Sequence, residues 1–232
     1  MADTVVWVVV TAIVVAGGYA LVFRFWGQRT ARHNFFVNDI NDDLKEMGDR
    51  FNLRFCPSSP YAHPVIGALA QFGTLEGDFG PFQINFSIRS EMTNNDEELP
   101  ILWFPVIHVL SPVAENWCAE SLNIDDSTID SLYTPDAIQR AVAHFSNEQR
   151  QKRAYHALMG LLAESTRLSI ENIVLTVERK SAQELPGNGF MYESRIAPIE
   201  ELQEWLACVK AVTDIWSEHL AESMSADGVR QP

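Results

Sequence analysis

The most regular hydrophobic pattern in the chain is an uninterrupted apolar run from Val5 to Phe23, which contains no charged residue and no proline. Nineteen residues in an α-helix rise about 28 Å, close to the ~30 Å hydrocarbon core of a bilayer. The run therefore predicts a transmembrane helix at residues 5–26, once the aromatic residues at its end are included. No later segment is long and apolar enough to predict a second span, so we expect a single-pass membrane protein.

The charges on the two sides of this span are asymmetric. Only Asp3 lies before it, in a short tail at residues 1–4, whereas three arginines follow within ten residues of Phe23. By the positive-inside rule the N-terminus is expected outside and the remaining chain in the cytoplasm. The absence of a basic start favours an uncleaved anchor, and a cleaved signal peptide is the alternative. The predicted membrane-interface anchors are Trp7, Arg24, Trp26, Arg29 and Arg32.

Small residues recur on one face of the predicted span. Ala12, Ala16 and Ala20 are spaced by four residues, and Gly17 lies beside them. Small side chains allow a second transmembrane helix to approach closely, so these four residues are the predicted helix-packing site in the membrane. The alternative is that alanine and glycine are simply common in such helices.

The extramembrane part begins with a basic neck at residues 27–34 and continues as one soluble domain at residues 35–223. Its first helix is indicated by apolar positions at a spacing of three or four residues from Phe36 to Phe51. The last and longest helix opens at Pro198, and residues 224–232 are expected to be a flexible tail. Two shorter helices are predicted by their apolar stripes, one that begins at Pro135 with a stripe from Ile138 to Phe145 and one near residues 148–165.

Strand patterns lie between these helices. Phe82 to Arg89 alternate apolar and polar residues, which predicts a half-buried strand, and the turn residues before it predict a hairpin with an earlier strand near 65–75. The apolar run 100–110 predicts a further strand, with Pro105 implying a bulge or a sheet edge and His108 expected to be a satisfied core residue. Short strands are also predicted at 53–56 and 173–178. Together these elements predict an α+β fold with an antiparallel sheet of about four to six strands and helices packed on one face.

Composition narrows the function classes. The chain has 31 acidic and 17 basic side chains and a formal charge of −14. Such a domain would repel a phosphate backbone, so no nucleic-acid partner is expected. The cysteines at 56, 118 and 208 are widely spaced, which favours reduced thiols in a cytosol over a disulfide framework or zinc site.

No motif for catalysis, cofactor binding or metal binding is present in the sequence. The six histidines have no ligand spacing, and there is no nucleophile elbow, Walker loop or dinucleotide-binding glycine motif. The expectation is therefore a protein without catalytic residues, cofactor or metal.

These observations favour a non-catalytic accessory or scaffolding subunit of a larger integral-membrane complex, of a respiratory, photosynthetic or transport kind. Its partners would be integral-membrane subunits and the lipid bilayer. The alternative is a membrane-tethered binding or sensor module for a basic protein partner, which an acidic domain would attract. An anchored enzyme with a site assembled from distant residues is the third possibility.

Overall fold

The structure is a computed structural model that describes residues 2–63, 67–92, 101–111, 121–125, 128, 133–145, 147–171, 173–179 and 198–228. Four helices lie in this part of the chain: α1 (Ala2–Phe51), α2 (Tyr133–Ala141), α3 (Glu148–Ala163) and α4 (Ile199–Gly228). The strands are β1 (Arg54–Cys56), β2 (Tyr61–His63), β3 (Gly67–Leu69), β4 (Thr74–Phe79), β5 (Phe82–Met92), β6 (Ile101–Leu110), β7 (Leu122–Ile124), β8 (Arg167–Glu171) and β9 (Val174–Glu178).

The chain divides into two compact units. Unit 1 comprises Met1–Asp43 and Pro57–Gly73, and unit 2 comprises Leu44–Cys56 and Thr74–Pro232. Helix α1 contributes residues to both. It has no break at the predicted neck, because the span, residues 27–34 and the following amphipathic segment form one continuous helix. The predicted domain bounds remain predictions, although α4 continues as helix through the first residues of the expected C-terminal tail.

In unit 1, α1 is long enough and apolar enough, by length and composition, to cross a membrane. Its described side chains from Val10 to Gln28 are exposed. The second part of unit 1 is an antiparallel pair, β2 with β3, in which Tyr61 faces Leu69 and His63 faces Gly67. Segment 68–73 is held on α1 by hydrogen bonds to the side chains of Asn34 and Asn41.

Unit 2 is built on a seven-stranded antiparallel sheet in the order β1-β4-β5-β6-β9-β8-β7. This confirms the predicted α+β class and antiparallel sheet, but the sheet has more strands than the four to six expected. The hairpin before β5 is also confirmed, although its first strand is Thr74–Phe79. Gly80 has a φ of +59° at the turn, a conformation that glycine adopts without a steric penalty.

One face of this sheet is apolar and buried, because apolar side chains at alternate positions of the strands point inward. On β5 these are Phe82, Ile84 and Phe86, each with 3% exposure or less. Trp205 of α4 packs against this face, with its ring centroid 6.4 Å from that of Phe86. The Trp205 indole N–H donates to Ser165 Oγ at 2.9 Å, so the most voluminous fully buried side chain also has its polar atom satisfied.

Pro105 lies on a central strand without a bulge, which corrects the expectation of a bulge, but its nitrogen faces the point where the β9 ladder ends, a local edge as expected. Strand β6 pairs with β5 without interruption, and Pro105 faces Ile88. The Pro105 carbonyl accepts a hydrogen bond from Arg179 N at 3.0 Å, while the β9 ladder begins only at Val106. Since the nitrogen and carbonyl of one residue point to the same side of an antiparallel strand, the missing N–H faces the end of the β9 ladder. The proline therefore removes no hydrogen bond to β5.

Candidate functional site

The second face of the unit 2 sheet is polar, and it carries the candidate site. It presents the alternate residues of the same strands, among them Asn85 and Ser87 of β5, Thr176 of β9 and Ser169 of β8. All four are exposed or half-buried, in contrast with the apolar residues between them. This alternation is the pattern of an antiparallel sheet with one solvated face.

A cavity of about 760 Å³ lies on this face over β5, β6, β9 and β8. We call it the sheet groove. Its lining residues include Ser87, Arg89, His108, Arg167, Ser169 and Glu178. Strands β6 and β9 are far apart in sequence, since His108 and Thr176 are separated by 68 residues, so the groove exists only because β6 pairs with β9.

An ion pair crosses the sheet groove. Arg89 and Glu178 approach to 2.8 Å, and the Glu178 side chain is only 12% exposed whereas that of Arg89 is 47% exposed. The Arg89 guanidinium also lies 5.7 Å from the centroid of the Phe104 ring, within range of a cation–π interaction. The pair links β5 to β9 across β6 at the floor of the groove.

His108 and Thr176 form a second cross-strand contact. They are directly paired residues of β6 and β9, and His108 Nδ1 lies 3.1 Å from Thr176 Oγ1. The histidine is half-buried and lines the groove, so the prediction of a satisfied core residue holds for its hydrogen bond but not for its location. Within the described ranges, no hydrogen bond is made by its other ring nitrogen.

Strand β8 contributes three polar side chains to one face. Arg167, Ser169 and Glu171 are at alternate positions, and all three line the groove. In the part of the chain that the structure describes, the side chains of Arg167 and Ser169 make no hydrogen bond or ion pair. They are available donors, and Glu171 is an exposed acceptor four residues away.

The arrangement is suited to binding polar groups. A hydroxyl–histidine contact is the first part of a nucleophile–base pair, but such a pair also needs a third group that orients the base. No described carboxylate is hydrogen-bonded to His108. Among the described residues, no group of three or more His, Cys, Asp or Glu side chains is placed to hold a metal ion.

The open face continues beyond the groove to the other end of the sheet. There Arg54 of β1 and Glu76 of β4 are paired residues with an N–O distance of 2.9 Å. The hydrogen bond from Arg54 lowers the pKa of Glu76 below its ordinary value.

The described cysteines are free thiols. Cys56 of β1 and Cys208 of α4 are in no disulfide, and Cys118 lies outside the described residues. Burial raises the pKa of Cys208.

The residues singled out from the sequence all lie on α1 and not at the sheet groove. Trp7 and Trp26 are 71% and 41% exposed, and Arg24 and Arg32 are exposed, while the Arg29 side chain lies outside the described part. The predicted helix-packing residues are exposed along the same helix: Ala12, Ala16, Gly17 and Ala20. Their roles as interface anchors and packing site stay predictions.

No protein-family model matches the chain, and no significant similarity was found to a characterised protein or to a solved structure.

Proposed function

We propose that this protein is a non-catalytic, single-pass membrane protein whose acidic extramembrane domain binds a basic protein partner, and that the sheet groove, with donors at Arg167 and Ser169 and an acceptor at Glu171, holds a polar segment of that partner. The observation that carries the proposal is the polar groove itself. The apolar face of the sheet is occupied by the protein's own core, whereas the opposite face holds a 760 Å³ cavity with available polar groups.

The charge distribution supports a basic partner. Unit 1 contains four acidic and three basic residues, which leaves 27 acidic and 14 basic residues for unit 2. Unit 2 therefore carries nearly all of the net negative charge. Such a field attracts cationic segments and accelerates their association, and the effect weakens as salt is added.

The wider role that we propose is that of an accessory subunit of an integral-membrane assembly, with the domain on the cytoplasmic side. The span is the second surface available for contact, because Ala12, Ala16 and Ala20 lie on one exposed side of α1. A partner bound at the groove and a partner bound at the span would be released by different substitutions.

The test is co-purification of the full chain from its native membranes after gentle solubilisation. Ser169→Trp places a bulky side chain in the sheet groove, and Gln139→Trp, at an exposed position of α2, is its matched control. The proposal expects partners to be recovered with the wild type and the control but lost with Ser169→Trp. Partners that survive Ser169→Trp but disappear with Ala16→Ile would assign the contact to the span and refute the groove.

A further inference from the structure

We propose that the membrane-proximal part of unit 1 binds the headgroups of anionic phospholipids beside the span. The surface consists of residues 24–38 of α1 and of residues 57–63 and 67–73, and we call it the headgroup collar. The inference rests on the proposed membrane anchor and is independent of the sheet groove.

Two asparagines of α1 fix the direction in which the second segment of the collar runs along the helix. The side-chain amide of Asn34 donates to Ala68 O at 3.1 Å and accepts from Ala70 N at 2.8 Å. Asn41, two helical turns later, donates to Gln71 O at 3.1 Å and accepts from Gly73 N at 2.8 Å. Segment 73 to 68 therefore runs along α1 toward its N-terminal end, which is the end that carries the span.

This direction brings β2 and β3 to the depth of the headgroups. Leu69 is level with Asn34, which lies eight residues after Trp26, or about 12 Å along the helix axis. Gly67, paired with His63, is two residues further along an extended strand, and so about 7 Å nearer to the span. Since the headgroup layer extends roughly 5–8 Å beyond the hydrocarbon on each side, this end of the pair reaches it.

The charge of the collar is opposite to that of the rest of the chain. Residues 24–38, 57–63 and 67–73 contain three arginines and no aspartate or glutamate, in a protein with a formal charge of −14, and the first acidic residue of α1 beyond them is Asp39, 13 residues after Trp26. Arg24 and Arg32 are exposed. Arg32 lies six residues after Trp26, about 9 Å along the helix. This is only about 1–4 Å beyond a headgroup layer of roughly 5–8 Å, and so within the Debye length of about 8 Å at physiological ionic strength. The collar is thus complementary to a leaflet that contains anionic lipid.

Exposed aromatic side chains on both parts of the collar also suit the headgroup region of a membrane. Phe35 is 74% exposed and Tyr61 is 53% exposed, whereas the neighbouring Phe36 packs edge-on against Phe72 with ring centroids 5.9 Å apart. Aromatic rings prefer the boundary between headgroups and acyl chains. Phe36 and Phe72 join the two segments, whereas the rings of Phe35 and Tyr61 remain largely exposed.

The test measures amide hydrogen exchange of the full chain in nanodiscs. One set contains phosphatidylcholine alone, and the other a roughly three-to-one mixture of phosphatidylcholine and phosphatidylglycerol. Exchange in residues 57–70 should be about fivefold slower with phosphatidylglycerol for each arginine engaged, and the difference should shrink at high salt. Arg32→Gln should reduce the difference, whereas Lys152→Gln, which removes one exposed positive charge from α3, should leave it unchanged.

The outcomes separate the collar from the anchor. Protection of residues 10–23 in both kinds of nanodisc reports that α1 is inserted, and rapid exchange there would refute the anchor of the proposed function. If these residues are protected while residues 57–70 exchange equally in both lipids, the collar alone is refuted. An equal effect of Arg32→Gln and Lys152→Gln, or the same protection produced by inorganic phosphate in phosphatidylcholine nanodiscs, would also overturn it.

Discussion

Replacing Asn41 by alanine should release one defined backbone amide of unit 1. The Asn41 side chain is the acceptor for Gly73 N at 2.8 Å and the donor to Gln71 O at 3.1 Å. Gly73 is buried, so water does not readily replace the lost acceptor. The variant thus loses two hydrogen bonds and leaves a buried N–H without its partner.

The magnitude follows from these two bonds. A hydrogen bond contributes about 0.5–1.5 kcal/mol net, so Asn41→Ala should lower the free energy of local opening at Gly73 by about 1–3 kcal/mol. At about 1.4 kcal/mol for each factor of ten, the Gly73 amide should exchange about 5 to 150 times faster. Residue-resolved amide hydrogen exchange of the full chain measures this rate directly.

Asn34→Ala is the matched variant, because Asn34 makes the equivalent pair of hydrogen bonds with Ala68 and Ala70. It should accelerate exchange of the Ala70 amide first, as Asn41→Ala does for Gly73. A Gly73 amide that exchanges at the wild-type rate in Asn41→Ala would refute the view that asparagine side chains hold this segment on α1.

Two further predictions concern unit 2. A Cβ at Gly48 would lie 2.8 Å from the Leu53 carbonyl oxygen, so Gly48→Ala should destabilise the fold by about 1–3 kcal/mol in chemical denaturation. Gly160→Ala, with no atom within 4 Å of the added Cβ in the exposed part of α3, should instead stabilise it by about 0.5–1 kcal/mol, and the same sign for both would contradict the packing argument. Burial, followed by the nearby positive charge of His219, lowers the pKa of His144. Its stabilising contribution is therefore complete above the unfolded pKa of about 6.5 and lost as the pH falls below it, so thermal unfolding should depend less on pH in this range in His144→Gln than in the wild type.

The sequence patterns predicted the elements that are defined by their own residues. The apolar run of the span, the alternation of β5 and the broad stripe of α4 are each visible within a single segment. Strands β7 and β8 were not predicted. For β8 a signal existed, since Leu168 and Ile170 alternate with polar residues, but five residues make a weak pattern.

The sheet groove could not be predicted in the same way. It depends on which strands become neighbours, and the pairing of His108 with Thr176 joins positions 68 residues apart. A histidine in an apolar run has the same local sequence whether its face of the strand is covered or open. Similarly, Asn34 and Asn41 have no local feature that predicts their backbone partners, because those partners are 30 to 36 residues away.

The two outermost strands of the sheet are short, with three residues each in β1 and β7. An additional strand from another molecule would form few backbone hydrogen bonds with β1 or β7. These short edge strands therefore disfavour polymerisation of the domain through its sheet. Concentrating many copies in the plane of a membrane would otherwise promote such stacking. With the proposed membrane anchor, short edge strands would let copies of the protein crowd in a bilayer without their sheets pairing into fibres.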